Sequence, residues 1–112
     1  MFDNLAFHFV PGTDNKKKIQ LIALSTCGFC RRGQEFLEKH SLSYEYVHLD
    51  TLDSSVKAEA KEEFKAKFGV TLSYPSLIVD GTDFTVGYVK RFWEDLLGLP
   101  RDDEAVEAES LD

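Results

Sequence analysis

Residues 21–40 read LIALSTCGFCRRGQEFLEKH. An apolar run, Leu21-Ile22-Ala23-Leu24, ends at Ser25-Thr26, and Cys27-Gly28-Phe29-Cys30 follows. Beyond it Phe29, Phe36, Leu37 and in part His40, with small Gly33 between them, fall on one side of a 3.6-residue period. The spacing predicts an amphipathic helix. The only two cysteines therefore sit at a strand-to-helix junction, Cys27 at or just before the helix N-terminus and Cys30 one turn inside it.

The first turn of a helix presents unpaired backbone N–H groups and the positive end of the macrodipole, and both favour a thiolate over a thiol. For a helix-start thiol titrating near ~6, the lower basicity offsets most of the gain in thiolate fraction, so attack is only about two- to threefold faster. The larger benefit is as a leaving group, when a thiol attacks the sulfur bonded to Cys27 and displaces it from a disulfide. Two cysteines on one turn close a small ring with little chain rearrangement, as reversible dithiol–disulfide exchange requires.

Other uses of the pair fit less well. A structural disulfide gains from closing a long loop, and a Cys27–Cys30 ring closes almost none. A zinc site needs two further ligands; the histidines are His8, His40 and His48, none paired at ligand spacing, and no metal site is expected. A bridging iron–sulfur cluster taking one cysteine per subunit is the main alternative to redox exchange.

The 112 residues are enough for one domain whose core needs no disulfide staples. The expected divisions are an N-terminal extension over residues 1–18, a globular domain over 19–100 and an acidic tail over 101–112. The net charge is −7; residues 101–112 hold one basic and six acidic side chains, or −5, which leaves −2 on residues 1–100. The one basic cluster, Lys16-Lys17-Lys18, reads as a solvated turn, so no nucleic-acid partner is expected. The apolar run over residues 5–10 is too short for a signal segment or a membrane span. A reducing cytoplasm is expected, where a C-x-x-C is more often catalytic than structural.

In chain order, residues 5–10 (LAFHFV) are strand-like and stopped by Pro11-Gly12; they either add a strand or cover the core with Phe7 and Phe9, with His8 as a half-buried packing residue. Residues 19–24 form the first core strand, buried on both faces. Residues 44–49 form a second, parallel to the first through a right-handed crossover and closed by Asp50; His48 is read as a partly exposed strand residue. Asp53-Ser54-Ser55 caps a helix whose apolar positions are Val56, Ala60, Phe64 and Phe68 and whose end is Gly69. Its lysines, Lys61, Lys65 and Lys67, face solvent, and one near the helix end could reach a substrate carboxylate. Pro75 opens a third strand over residues 77–81, Thr82-Asp83 turn the chain, and residues 84–86 return antiparallel to it. Val89, Phe92, Trp93, Leu96 and Leu97 mark a last helix, stopped by Gly98 and Pro100.

This order resembles the thioredoxin fold and, in its compact form, the glutaredoxins, over roughly residues 19–97. Three features carry the resemblance: the Cys27-Gly28-Phe29-Cys30 motif after the first strand, Tyr74-Pro75 opening the third, and Asp80-Gly81 followed by a strand ending at Gly87. The implied architecture is an α/β thioredoxin-like fold, a mixed four-stranded sheet flanked by helices, with the N-terminal strand as an addition. The resemblance implies that Cys27 is the exposed nucleophile and Cys30 the buried resolving thiol. It makes Pro75 the cis-proline beside them, holding the backbone of Tyr74 ready to pair with an extended substrate.

The dipeptide Gly-Phe also resembles the monothiol glutaredoxins, which have serine in place of Cys30 and bind a shared iron–sulfur cluster with glutathione. Hence the alternative of a cluster or metal carrier; another is a glutathione-independent, thioredoxin-like electron donor. Glutathione-using members carry a basic residue shortly before the motif, where Leu24-Ser25-Thr26 are neutral. Their Gly-Gly pair with a nearby aspartate appears here as Gly87-Tyr88-Val89-Lys90, so a γ-glutamyl ammonium loses its counter-charge. Arg31 is the candidate cation beside the thiolate. No cofactor is required under this reading. Glutathione is a candidate co-substrate, disulfide-containing proteins or glutathione are the partners, and glutathione with its reductase or thioredoxin reductase is the electron donor. A monomer is expected.

Overall fold

The structure is a computed structural model and describes residue 2 and residues 4–101. The order of elements is β1 (His8–Val10), β2 (Ile19–Ala23), α1 (Gly28–Lys39), β3 (Tyr44–His48), a 3-10 turn over Leu49–Thr51, α2 (Ser54–Phe68), β4 (Ser76–Val79), β5 (Asp83–Val86) and α3 (Lys90–Leu97). The acidic tail expected over residues 101–112 lies, apart from Arg101, outside the described residues.

The strands form one mixed sheet in the order β1-β3-β2-β4-β5. β2 lies parallel to β3, Ala23 opposite His48, and antiparallel to β4, Ile22 opposite Ser76. Every residue of β2 is buried, polar Gln20 included, as its largely apolar run predicts for a central strand. Alternation along the strands divides the core in two. Leu21, Ala23, Tyr44, Leu77 and Val79 face α1 and α3 and meet Cys30, Phe36, Leu37, Trp93 and Leu97. Ile22, Val47 and Ile78 point the other way, toward Ala60 and Phe64 of α2.

The N-terminal extension does add a strand, β1, antiparallel to β3 with His8 opposite Tyr46. It does not cover the core with Phe9, which is 66% exposed, although Phe7 packs against the α2 side. His8 is exposed and not half-buried; its ring lies 5.4 Å from that of Tyr46. Phe2 and Leu5, further upstream, are buried in the α2-side core, where the Phe2 N–H donates to Glu63. Gly12 does more than turn the chain: a Cβ there would lie 2.5 Å from the Leu42 carbonyl carbon and 2.6 Å from Ser41 O and Ser43 N. Only glycine lets the backbones approach closely enough for Asp14 to bridge to Leu42.

Helix ends follow their signals. Gly69 and Gly98 cap α2 and α3 in the left-handed conformation, at φ 78° and 71°. Asp53 is the N-cap of α2, though its side chain makes no capping hydrogen bond. Two expectations shift by a residue or two. Asp83 pairs with Val79 inside the β4–β5 ladder, so the turn is Asp80-Gly81-Thr82, with positive φ at Asp80 and Gly81. The buried face of α3 comprises Lys90, Trp93, Glu94 and Leu97, and Phe92 is 47% exposed. Trp93 sets that rotation, because its ring fits only over Gly33, where a Cβ would come within 2.5 Å of it.

Candidate active site

The topology brings three chain segments to one end of the sheet. β2 leaves the sheet at Ala23, β3 is parallel to it and leaves on the same side, and antiparallel β4 enters there. The segments after β2, after β3 and before β4 therefore converge: Ser25 to Cys30, Leu49 to Thr51, and Tyr74-Pro75.

Cys27 is the N-cap of α1, in extended conformation. A turn presents it, with its N–H donating to Leu24 O at 3.4 Å. Its sulfur is half-buried and accepts the Cys30 N–H at 3.2 Å, so one orphan donor of the first turn points at the sulfur. The first turn of α1 has no acidic side chain to offset the positive end of the dipole. Gly28 leaves the approach open, with nothing within 4 Å of where its Cβ would be.

Cys30 is 1% exposed, packed in the α1 side of the core, and forms no disulfide with Cys27. Burial, and then a hydrogen bond to the Cys27 side chain, push its thiol up to about 12. Cys30 therefore keeps its proton at neutral pH while it stands behind the more exposed sulfur. At pH 7 to 9 a small alkylating agent is expected to add one label per folded chain, on Cys27, as peptide mass spectrometry would show; equal labelling of both cysteines would contradict the burial. The folded-state value lies above the ordinary 9.0, so the neutral thiol stabilises the fold fully below pH 9, and that contribution is lost as pH climbs from 9 toward 12.

Tyr74-Pro75 is a cis peptide bond. The Cys27 thiol points to the Tyr74 carbonyl, with sulfur and oxygen 4.0 Å apart. Pro75 is buried, and its carbonyl accepts the Gly87 N–H at 2.7 Å. Gly87 has φ 79°, and its own carbonyl accepts the buried Trp93 indole N–H at 3.0 Å. Both main-chain groups of Gly87 thus tie the Pro75 loop to α3. Tyr88 is 7% exposed, its ring 4.9 Å from Trp93 and edge-on to it, so it packs in the core. Arg31 is exposed on α1, and its N–H donates to Cys27 O at 3.2 Å. A groove of about 350 Å³ runs beside Tyr74, lined by Lys61, Glu62, Lys65, Thr71 and Leu72.

The sequence did not single out Asp50 or Ser25. Asp50 accepts the Ser25 N–H at 2.9 Å through Oδ1 and the Ser25 hydroxyl through Oδ2. These hydrogen bonds, the hydroxyl first, hold the Asp50 carboxyl below its usual range. The available signal was topological, since residues just past two parallel neighbouring strands must meet. Among the described residues no group of three or more His, Cys, Asp or Glu side chains is placed to hold a metal ion, and no helix is long and apolar enough to cross a membrane.

Comparison with known proteins agrees with this geometry. The sequence model of the Glutaredoxin family matches residues 17–84. The structure is similar to the glutaredoxin from Methanosarcina mazei Go1, with TM-score 0.72 and 26% identity over 83% of this chain and 88% of that one. It is similar to Methanosarcina acetivorans methanoredoxin, with TM-score 0.71 and 26% identity over 84% of this chain and 96% of that one. The glutaredoxin (grx-1) from Archaeoglobus fulgidus shares the fold at TM-score 0.64 and 24% identity, covering 73% of this chain and 87% of that one. No curated protein matches the chain.

Proposed function

The chain belongs to the glutaredoxin family, and on that premise we propose that it is a dithiol–disulfide oxidoreductase acting through Cys27 and Cys30. The observation that carries this reading is the division of labour between the sulfurs: one half-exposed at the start of α1 with an amide N–H on it, the other buried and protonated one turn behind.

The Cys27 thiolate attacks one sulfur of the substrate disulfide, and the other sulfur leaves as a thiolate and takes a proton. The product is a mixed disulfide at Cys27. Cys30 then gives up its proton and attacks the Cys27 sulfur, which releases the second substrate thiol. Two electrons have moved from the cysteine pair to the substrate, and the Cys30 proton together with one from solvent ends on the two substrate thiols. The backbone beside Tyr74, facing the nucleophile, suits main-chain pairing with an extended substrate segment. The substrates are protein disulfides or glutathione mixed disulfides, and glutathione with its reductase, or thioredoxin reductase, restores the dithiol. The protein works as a monomer in a reducing cytoplasm. Lys90 at the start of α3, where the resemblance puts an acid, weighs against tight glutathione binding.

The test is a turnover assay with a disulfide substrate under two recycling systems, glutathione with glutathione reductase and thioredoxin reductase alone. Multiple turnovers are expected with at least one. Failure of both to sustain turnover, with a folded protein, sinks the reading.

A further inference from the structure

We propose that Asp50 selects the substrate by charge: its carboxylate, fixed against the turn that presents Cys27, favours neutral or cationic disulfides over those that carry carboxylates. The inference rests on the oxidoreductase reading and adds the substrate class.

Ser25 is the second residue of the turn that closes with the Cys27 N–H on Leu24 O, so an acid bonded to Ser25 is held two residues from the nucleophile. Asp50 grips Ser25 with both oxygens, one on the amide and one on the hydroxyl, which fixes the position of the charge. Those bonds also keep the carboxyl ionised; burial is the main reason that Cys30 and Tyr74 are raised, and the Asp50 charge adds to both. His48, two residues upstream, is near enough to add to the ionisation of Asp50. The cations nearest the motif in sequence, Arg31 and Arg32, are exposed on α1, and Arg32 lies over the Phe29 ring at 5.4 Å. The charge that Ser25 holds against the nucleophile's own turn is negative. An incoming disulfide must bring its flanking groups past it, and a carboxylate there meets repulsion where an ammonium meets attraction.

The experiment measures single-turnover oxidation of pre-reduced protein by three small disulfides: cystamine, a dication; 2-hydroxyethyl disulfide, neutral; and 3,3′-dithiodipropionate, a dianion. The neutral compound normalises for changes in intrinsic reactivity. At low salt the wild type should prefer the cation over the anion by about fivefold or more, and near 1 M salt the preference should shrink toward unity. Asp50→Asn, which still accepts a bond from Ser25, should lose most of the preference. Ser25→Ala keeps the charge and should keep the preference, whatever it does to the absolute rates. A cation-to-anion ratio that Asp50→Asn leaves unchanged overturns charge selection while the oxidoreductase reading stands. A wild-type protein that reacts with none of the three overturns both.

Discussion

Cys27→Ser is expected to lose disulfide reduction by at least about a thousandfold, because a hydroxyl at that position stays protonated at neutral pH and is a poor nucleophile toward sulfur. Cys27 is half-buried at a helix cap, and serine caps helices well, so the variant should fold with unchanged circular dichroism. Cys30→Ser has a different signature. The Cys27 sulfur can still attack, but nothing behind it resolves the product, so a mixed disulfide accumulates and intact-mass spectrometry shows one substrate thiol added per chain. A hydroxyl at the 1%-exposed Cys30 site costs about 1–3 kcal/mol of stability if it finds no partner, so Cys30→Ala serves as a second variant with the same expected adduct. Retained turnover in Cys27→Ser, or adducts on Cys30 in the wild type, would reverse the assigned roles.

Trp93→Ala carries the largest expected effect on stability. Trp93 is fully buried, edge-on to Tyr88 and to Phe36, closes over Gly33 and donates its indole N–H to Gly87 O. Truncation of such a side chain costs about 3–5 kcal/mol. That is a large share of the ~5–15 kcal/mol that holds a domain together. Urea unfolding should show the midpoint falling accordingly, or the variant should fail to fold. Trp93→Phe separates packing from the hydrogen bond: it keeps most of the ring but leaves the buried Gly87 carbonyl without its donor, at about 1–3 kcal/mol. Because the Gly87 N–H is bonded to Pro75 O, and Tyr74 O faces the Cys27 sulfur, the loosening should also reach the site. The expected result is a lower kcat/KM for an extended peptide disulfide than for a small one. Wild-type stability and an unchanged ratio of those rates in Trp93→Phe would show that Gly87 does not couple α3 to the Pro75 loop.

The strands and helices could be read from the chain because their signals are local. The apolar run over residues 21–24 and the four-residue recurrence of Val56, Ala60, Phe64 and Phe68 each need only neighbours in sequence. In α3 a local pattern was not enough. The apolar set 89, 92, 93, 96 and 97 rotates the helix away from its true face, on which Lys90 and Glu94 are buried and Phe92 is not. What turns it is one distant contact, Trp93 over Gly33.

The sequence by itself determined the order of elements, the position of both cysteines at the start of a helix, and their family, since each follows from spacing along a few turns of chain. Tertiary structure decided which residues meet across the sheet's end. It paired β1 with β3, buried Phe2 and Leu5 against α2, set the Tyr74-Pro75 bond cis, bound Gly87 between Pro75 and Trp93, and brought the Asp50 carboxylate onto Ser25 across 25 residues. Hydrophobic periodicity records which face of an element avoids water, and it carries no label for the partner on the other side of the interface.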